Sequence, residues 1–177
     1  GRPSVDSPVF AKAFELALRV RQLGLDAIVD TWRNDWAEHL RRGRLATELS
    51  GAWMAGQMAA MVAPNTRGLW RAAPMPGGSF VGYGGTYYAI PRRSDPAKKA
   101  LAWSLVQALT LDRELQLRAF KGQDAFPALL SAHDDPFFDQ PVEFLGGQRA
   151  RQLWREAARR IPARPLHRQH KFAEEVI

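Results

Sequence analysis

The sequence contains no cysteine, which excludes disulfide bonds, thiolate nucleophiles and thiolate metal ligands. No apolar run approaches the roughly 20 residues that a membrane-spanning helix requires. The few histidines show no zinc-peptidase spacing, so we expect no metal site. No glycine-rich loop is followed by Lys and Ser or Thr, which excludes a P-loop. The start, Gly1-Arg2-Pro3-Ser4, lacks the apolar core of a signal peptide, so we expect the leader segment to be absent from this sequence.

Two arrangements that would support catalysis are incomplete. Residues 81–87 superficially resemble a dinucleotide-binding loop, but Tyr87 occupies the position of the third glycine. Glu48 and Asp124 are a conceivable glycosidase pair, but the sequence does not supply the distance between their carboxylates. We therefore expect a binding protein rather than an enzyme, with no catalytic residue and no cofactor.

The composition is that of a globular chain, with 46% hydrophobic and 24% charged residues, so we expect residues 1–177 to form one domain or one lobe of a larger protein. The formal charge of +7 arises mainly from an arginine-rich segment after residue 148. Such a run usually coats a solvated helix face, and only Trp154 and Phe172 interrupt it with aromatic rings. An arginine face that binds nucleic acid or an acidic protein is the alternative hypothesis for the function.

Helix signals occur along the whole chain. Ser7-Pro8, Asp95-Pro96 and Asp135-Pro136 each combine a capping side chain with a proline suited to the first helical position. The first three predicted helices run from Pro8 to Gly24, across Trp36 and Leu40 to Gly43, and over residues 52–63. The next begins at Pro96 and is expected to bury a stripe of Ala97, Leu101, Ser104, Leu105 and Ala108. Asp112 is expected to cap a helix that ends at Gly122, and Phe137 and Phe138 are expected to anchor one that begins at Pro136. The last helix covers residues 148–161 and is expected to bury Ala150, Leu153, Trp154, Ala157 and Ile161.

Strand signals are fewer and shorter. Residues 45–49, 69–73 and 86–90 are predicted to be strands, the last two separated by the loop that Pro76-Gly77-Gly78 opens. Many helices with about three short strands indicate an α/β or α+β arrangement. Because three strands make a thin sheet for so many helices, we expect the partner strands to lie outside this sequence.

Two aromatic turns are the candidate binding site. Trp53 follows a predicted strand-to-helix turn, where its indole is suited to cover the C–H face of a sugar ring. Gly84-Gly85 allows a ligand to approach the backbone closely, and Thr86 completes this turn. Tyr83 and Tyr87 flank the glycines with hydroxyl groups that both donate and accept hydrogen bonds. This combination predicts a cleft for a neutral, hydroxyl-rich ligand, although an ordinary core tryptophan and an ordinary glycine turn remain open alternatives.

Three further residues are candidates for the rim of this cleft. Trp36 lies in the helix after a polar loop, where core packing is at least as plausible because Leu40 follows four residues later. Asp124 and Phe126 lie in a loop that mixes polar and aromatic side chains, and Asp124 is able to accept bonds from two sugar hydroxyls. A solvated turn is the simpler explanation for Asp124.

The order of these motifs resembles the C-terminal part of family 1 extracellular solute-binding proteins, the sugar-binding components of ABC importers that are similar to maltose-binding protein. The resemblance covers most of the chain, and it lies in the order and spacing of motifs that are individually unspecific. The motifs are Arg42-Gly43-Arg44-Leu45-Ala46, Ser50-Gly51-Ala52-Trp53, Ala73-Pro74-Met75-Pro76-Gly77, Gly84-Gly85-Thr86-Tyr87-Tyr88-Ala89-Ile90-Pro91, residues 95–103, Phe126-Pro127-Ala128 and Asp135-Pro136-Phe137-Phe138.

The resemblance implies an α/β fold of the type II periplasmic-binding-protein class, of which residues 1–177 would be a helix-rich C-terminal lobe fragment with a small sheet. It also implies a periplasmic or extracellular protein that closes on a mono- or oligosaccharide in an interlobe cleft. The protein would deliver the sugar to the membrane permease of an ABC transporter, and only this permease would associate it with the membrane. No nucleic-acid partner is implied. The arginine-rich segment after Gln148 departs from the family pattern.

Overall fold

The computed structural model describes residues 7–83, 85 and 87–162, and the regular secondary structure of these residues is helical, with six α-helices and no sheet. A single isolated antiparallel bridge joins Val142 and Gln148. A π-helical segment, Met58–Val62, continues α3, and short 3-10 turns connect the later elements. The α-helices are α1 (Pro8–Gln22), α2 (Asn34–Arg41), α3 (Met54–Gln57), α4 (Pro96–Leu111), α5 (Arg113–Gln123) and α6 (Ala150–Arg160).

The predicted α/β fold with a small sheet, similar to the type II periplasmic-binding-protein class, is therefore wrong for this structure. Residues 45–49, 69–73 and 87–90 carry β-branched, aromatic and leucine side chains, but they form no strand. A strand requires a neighbour that pairs with its backbone N–H and C=O groups. No other strand lies beside these segments in the described part of the chain, and the N–H and C=O of Ala72 bond instead to the side chain of Gln148. The local preference of these segments for extended backbone therefore has no strand to pair with.

The chain divides into two units, residues 1–48 and residues 49–177. The first unit contains α1 and α2. The predicted start of α1 after Ser7 is confirmed, although none of its residues is buried. The prediction for α2 is also confirmed, because Trp36 and Leu40 lie one turn apart and are 2% and 0% exposed.

The core of the second unit is aromatic. Phe120 of α5 and Phe138 are completely buried, and their ring centroids lie 4.6 Å apart. Leu117 and Ala132 complete this cluster. Phe137 packs edge-on against Phe120 at 5.1 Å, so the prediction that Phe137 and Phe138 anchor their segment is confirmed. The helix predicted to start at Pro136 is only the 3-10 turn Pro136–Asp139.

Side-chain caps begin three of the later elements. The carboxylate of Asp95 accepts hydrogen bonds from the backbone of Ala97 and Lys98 at the start of α4. Asp112 caps α5 and Asp135 caps the 3-10 turn Pro136–Asp139 in the same way. The caps predicted at Asp95, Asp112 and Asp135 are therefore confirmed, because a short acidic side chain accepts bonds from amides that lack an intrahelical partner. The cap predicted at Ser7 is wrong, since its side chain accepts no such bond at the start of α1.

The predicted buried stripe of α4 is wrong. Leu101 and Leu105 are 73% and 60% exposed, Ala97, Ser104 and Ala108 are exposed too, and no residue of α4 is buried. Helical spacing shows which residues share a face, but it does not show whether another element covers that face. None of the described helices is long and apolar enough to cross a lipid bilayer.

The last helix, α6, carries an unexpected buried charge. Ala150 is buried as predicted, whereas Leu153, Trp154 and Ala157 are half-buried and Ile161 is exposed. Arg151 is only 6% exposed, so the expectation that the arginines of this segment coat a solvated face does not hold for this residue.

Candidate functional site

The two aromatic residues at the centre of the predicted site lie together. The rings of Trp53 and Tyr83 are stacked, with centroids 6.3 Å apart and an angle of 29° between their planes. Trp53 is half-buried at the start of α3, and Tyr83 is 57% exposed. The indole folds back over Gly51, where an added Cβ would collide with the ring. This glycine leaves room for the ring, and the pair presents an aromatic surface at the start of α3.

The segment that carries Tyr83 is held by α6. The guanidinium of Arg160 lies 4.3 Å from the centroid of the Phe80 ring. A Cβ added to Gly82 would lie 3.9 Å from Ile161. Since alternate residues of extended backbone point to opposite sides, Phe80 and Gly82 face the end of α6 while Tyr83 faces Trp53.

A groove of about 440 Å³ runs between the α3–π segment and the C-terminal end of α5. At Gly56 the two elements are so close that a Cβ would collide with the carbonyl oxygen of Gln123. The groove wall combines small and apolar residues with two carboxamides, one ammonium and one carboxylate. Its lining residues are Gly56, Gln57, Ala59, Ala60, Met61, Lys121, Gly122, Gln123 and Asp124.

The groove and the aromatic pair share one side of the same helix. Gln57 follows Trp53 by four residues, and its backbone N–H donates to the carbonyl of Trp53 at 3.2 Å. Residues i and i+4 of a helix lie on the same face, and their side chains lean toward the N-terminus. Gln57 therefore lines the groove from the helix face that also carries Trp53.

Asp124 follows the last residue of α5 and lines the groove, and its carboxylate is hydrogen-bonded to an arginine of α6. Its backbone is left-handed, with φ 52°, and its N–H donates to the carbonyl of Phe120 at 2.9 Å. Oδ1 of Asp124 accepts a hydrogen bond of 2.7 Å from Nε of Arg151. The guanidinium of Arg151 also lies 3.8 Å from the centroid of the Phe137 ring. Arg151 thereby fixes the position of the Asp124 carboxylate and balances its charge.

Lys121, on the same wall, is also paired. Its ammonium donates to Oδ2 of Asp135 at 3.0 Å. Burial alone would raise the pKa of Asp135, but the backbone N–H of Phe137 and the ammonium of Lys121 outweigh it and hold the pKa below its ordinary value. Both charged groups of the groove wall thus have counter-ions, which makes the wall close to neutral.

Phe126 and Trp36 pack inside their units. The ring of Phe126 is edge-on to Phe120, His133 and Phe138, at 6.1, 5.1 and 5.7 Å, so it is part of the aromatic cluster. Trp36 belongs to the first unit, where it is 2% exposed and its Nε1 donates to Glu48 at 3.2 Å.

The glycine turn is described only in part. Gly84 and Thr86 lie outside the described residues. Gly85 has φ 134°, which a residue with a side chain rarely adopts, and open space surrounds the position of its absent Cβ. Tyr87 is 84% exposed. The structure thus brings Tyr83 to Trp53 and Asp124 to the groove, and it leaves Tyr87 in solvent.

The arginines of α6 are largely engaged within the protein. Arg151 pairs with Asp124, Arg155 with Asp139 at 3.2 Å, and Arg160 with Glu156 at 2.9 Å. Three of these guanidinium groups also lie over aromatic rings. Guanidinium groups that are already paired and stacked provide little of the positive field that phosphate groups require, which weighs against a nucleic-acid interface at α6. Arg164, Arg168 and Lys171 of the same segment lie outside the described residues.

The side chains of the described residues form no metal-binding cluster. In residues 7–83, 85 and 87–162, no three His, Asp or Glu side chains converge to hold a metal ion. The pKa is lowered at Asp135 and Asp139, and both carboxylates take part in structural hydrogen bonds. These shifts have structural causes, so they do not mark a proton-transfer pair.

Of the polar residues in the groove, the sequence predicted Asp124 but neither Gln57 nor Gln123. Gln57 was detectable, because it follows Trp53 by four residues within a predicted helix. Gln123 stands in the same loop as Asp124, but nothing in the sequence brings this loop beside Gly56. Arg151 had no distinguishing signal among the arginines around it.

Comparisons with models of protein families, with curated proteins and with solved structures find no match for this chain. The resemblance to the sugar-binding family therefore remains a prediction from the motifs, and the geometry of the groove is the independent basis for a functional proposal.

Proposed function

We propose that this protein binds a carbohydrate without altering it, using the Trp53–Tyr83 pair and the adjoining groove. The observation that carries the proposal is the stacked pair itself, with a half-buried indole and a 57% exposed phenol at the start of α3. Partly exposed aromatic rings suit the C–H face of a sugar ring.

The polar groups beside the pair suit the hydroxyls of such a ligand. The carboxamides of Gln57 and Gln123 both donate and accept hydrogen bonds. The carboxylate of Asp124 accepts them, and Arg151 holds it in place. This combination of apolar surface and a few fixed polar groups is typical of small-molecule sites.

A wider role follows from the resemblance of the motifs. We infer that the bound sugar is handed to the membrane permease of an ABC importer, in the periplasm or on the outer side of the cell membrane. The support for this step is the motif order alone, and the groove supports only the capture of the sugar.

A sugar panel tests the proposal. Mono- and oligosaccharides are titrated into the protein while tryptophan fluorescence and heat are recorded, and at least one sugar should change both signals. Trp53→Ala should weaken the binding of that sugar by about 2 kcal/mol or more, as truncated aromatic anchors generally do. Trp103→Ala is the matched control, since Trp103 is 53% exposed on α4.

Two results would reject carbohydrate capture. One is equal affinity in the wild type and in a folded Trp53→Ala variant, which would remove the indole from the site. The other is that no sugar gives a binding signal, while oligonucleotides bind with an affinity that falls steeply as the salt concentration rises. The second result would favour the arginine-face alternative.

A further inference from the structure

One side of α4 is apolar and exposed along its whole length. Residues on this side recur at alternating intervals of four and three positions, which is the spacing of a coiled-coil seam. Leu101 and Leu111 are 73% and 60% exposed, and the smaller residues between them are exposed as well. We call this set the α4 seam, and its members are Ala97, Leu101, Ser104, Ala108 and Leu111.

The side chains of the α4 seam are uncharged, and the single hydroxyl group among them is already bonded. The hydroxyl of Ser104 donates to the carbonyl of Ala100 within the helix, at 3.1 Å. The other side of α4 is different, because its apolar residues, Ala102, Val106 and Leu109, are half-buried. The seam is therefore the side of α4 that another helix could cover without leaving a charge unpaired.

The sizes of the seam residues suit a second copy of the same helix. In an antiparallel register that places Leu101 beside Ser104 of the second copy, Ala97 lies beside Ala108. Each leucine near the centre of such a pair then faces a small side chain, and small residues allow two helices to approach closely. A two-fold axis repeats each of these contacts once.

The charges at the two ends of α4 are also complementary in an antiparallel pair. Exposed cations cluster at its start, at Arg92, Arg93 and Lys98. The exposed carboxylates of Asp112 and Glu114 follow its end, and Arg113 offsets only one of them. Antiparallel pairing brings the basic start of one helix beside the acidic end of the other, twice by symmetry. A parallel pair would instead place like charges together.

We infer that two copies of this chain associate through the α4 seam as an antiparallel, two-fold symmetric dimer. The inference goes beyond sugar capture and does not depend on it. A seam of about two heptads makes a small interface, so the dimer should be weak and should dissociate on dilution. Unfolding measurements on dilute protein then report the single chain, in which Leu101 is exposed.

Sedimentation equilibrium over a range of concentrations tests the association. The average mass of the wild type should rise from that of one chain toward that of two. Leu101→Glu should raise the dissociation constant at least about tenfold, because it places an unpaired carboxylate in the seam of each copy. Leu69→Glu is the matched control, since Leu69 is 77% exposed and lies outside α4, and it should leave the dissociation constant unchanged. Circular dichroism checks that both variants keep their helices.

Disulfide trapping tests the direction of the pair, because the chain contains no cysteine of its own. Ala97→Cys and Ala108→Cys are oxidised separately and as a mixture. In the antiparallel register the two different positions meet, whereas identical positions are offset by eleven residues, or roughly 16 Å along the helix. The mixture should therefore form a covalent dimer and each variant alone should not. The opposite pattern is expected of a parallel pair.

Three results would overturn the inference. One is a wild type that stays monomeric at every concentration measured. Another is a dimer that Leu101→Glu leaves as stable as Leu69→Glu does, or one that gives the parallel cross-linking pattern. The third is a monomer that binds anionic lipid vesicles and loses this binding in Leu101→Glu, which would make a lipid surface the occupant of the α4 seam.

Discussion

Nε of Arg151 donates a hydrogen bond of 2.7 Å to Oδ1 of Asp124, and the two side chains are only 7% and 14% exposed. The pair joins the first turn of α6 to the left-handed residue that ends α5. The guanidinium of Arg151 also lies over the ring of Phe137 at 3.8 Å. One arginine therefore connects α6, the end of α5 and the aromatic cluster, and it fixes the carboxylate that lines the groove.

Arg151→Ala should destabilise the protein by about 3 kcal/mol or more, because it leaves the Asp124 carboxylate buried without its counter-ion. Urea unfolding followed by circular dichroism measures the change. Glu156→Gln removes half of an exposed ion pair with Arg160 and should cost less than about 1 kcal/mol. Equal losses of stability in the two variants would show that the Arg151–Asp124 pair has no special structural role.

Gly56→Ala should lower stability by about 1–3 kcal/mol, because the new methyl group collides with the carbonyl oxygen of Gln123 and forces α3 away from α5. Gly122→Ala is the matched control. Open space surrounds the position of its Cβ within α5, so this change should stabilise the protein by about 0.4–1 kcal/mol. Thermal unfolding of the two variants in parallel measures the expected loss of stability in Gly56→Ala and the expected gain in Gly122→Ala. A Gly56→Ala variant as stable as the wild type would contradict the close contact between Gly56 and Gln123.

Asp135 should make stability depend on pH. Its pKa is lowered in the folded state, so its contribution is fully present above the unfolded value of about 4 and is lost as the pH falls through the folded pKa. Asp135→Asn should therefore unfold at lower urea than the wild type at pH 7, and the difference should shrink below about pH 4.

The exposed neighbour Asp134 provides the control for this titration. Asp134→Asn should alter stability by less than about 0.5 kcal/mol at pH 7, as surface changes usually do. If the difference between Asp135→Asn and the wild type were the same at pH 3 and pH 7, the bonds from Phe137 and Lys121 would not be the source of the stability.

Phe138→Ala should cost about 3–5 kcal/mol, since its ring is completely buried against Phe120, Phe126 and His133. Leu101→Ala removes an apolar side chain that is 73% exposed and should change stability by less than about 0.5 kcal/mol. Denaturant midpoints measure the two changes. A large loss for Leu101→Ala would mean that the face of α4 is covered in solution.

The sequence by itself determined where most helices begin and which residues anchor the core. Ser7, Asp95, Asp112 and Asp135 mark helix or turn starts, and three of them cap backbone amides in the structure. These signals succeed because a cap is a contact between residues two or three positions apart. Phe137 and Phe138 were predictable for the same reason, because the turn that contains them comes immediately after the Asp135 cap in the sequence.

Only the tertiary structure decided which surfaces meet. Residues 69–73 have the composition of a strand, but in the described chain no strand pairs with them, and the backbone of Ala72 bonds to the side chain of Gln148 instead. The stripe of α4 has the spacing of a buried face, but its residues are exposed. Strand pairing, the burial of Arg151 and the approach of Gly56 to Gln123 all depend on residues far apart in sequence. The conformational preference of a segment depends on residues within a few positions of it. Its burial depends on which distant parts of the chain pack against it.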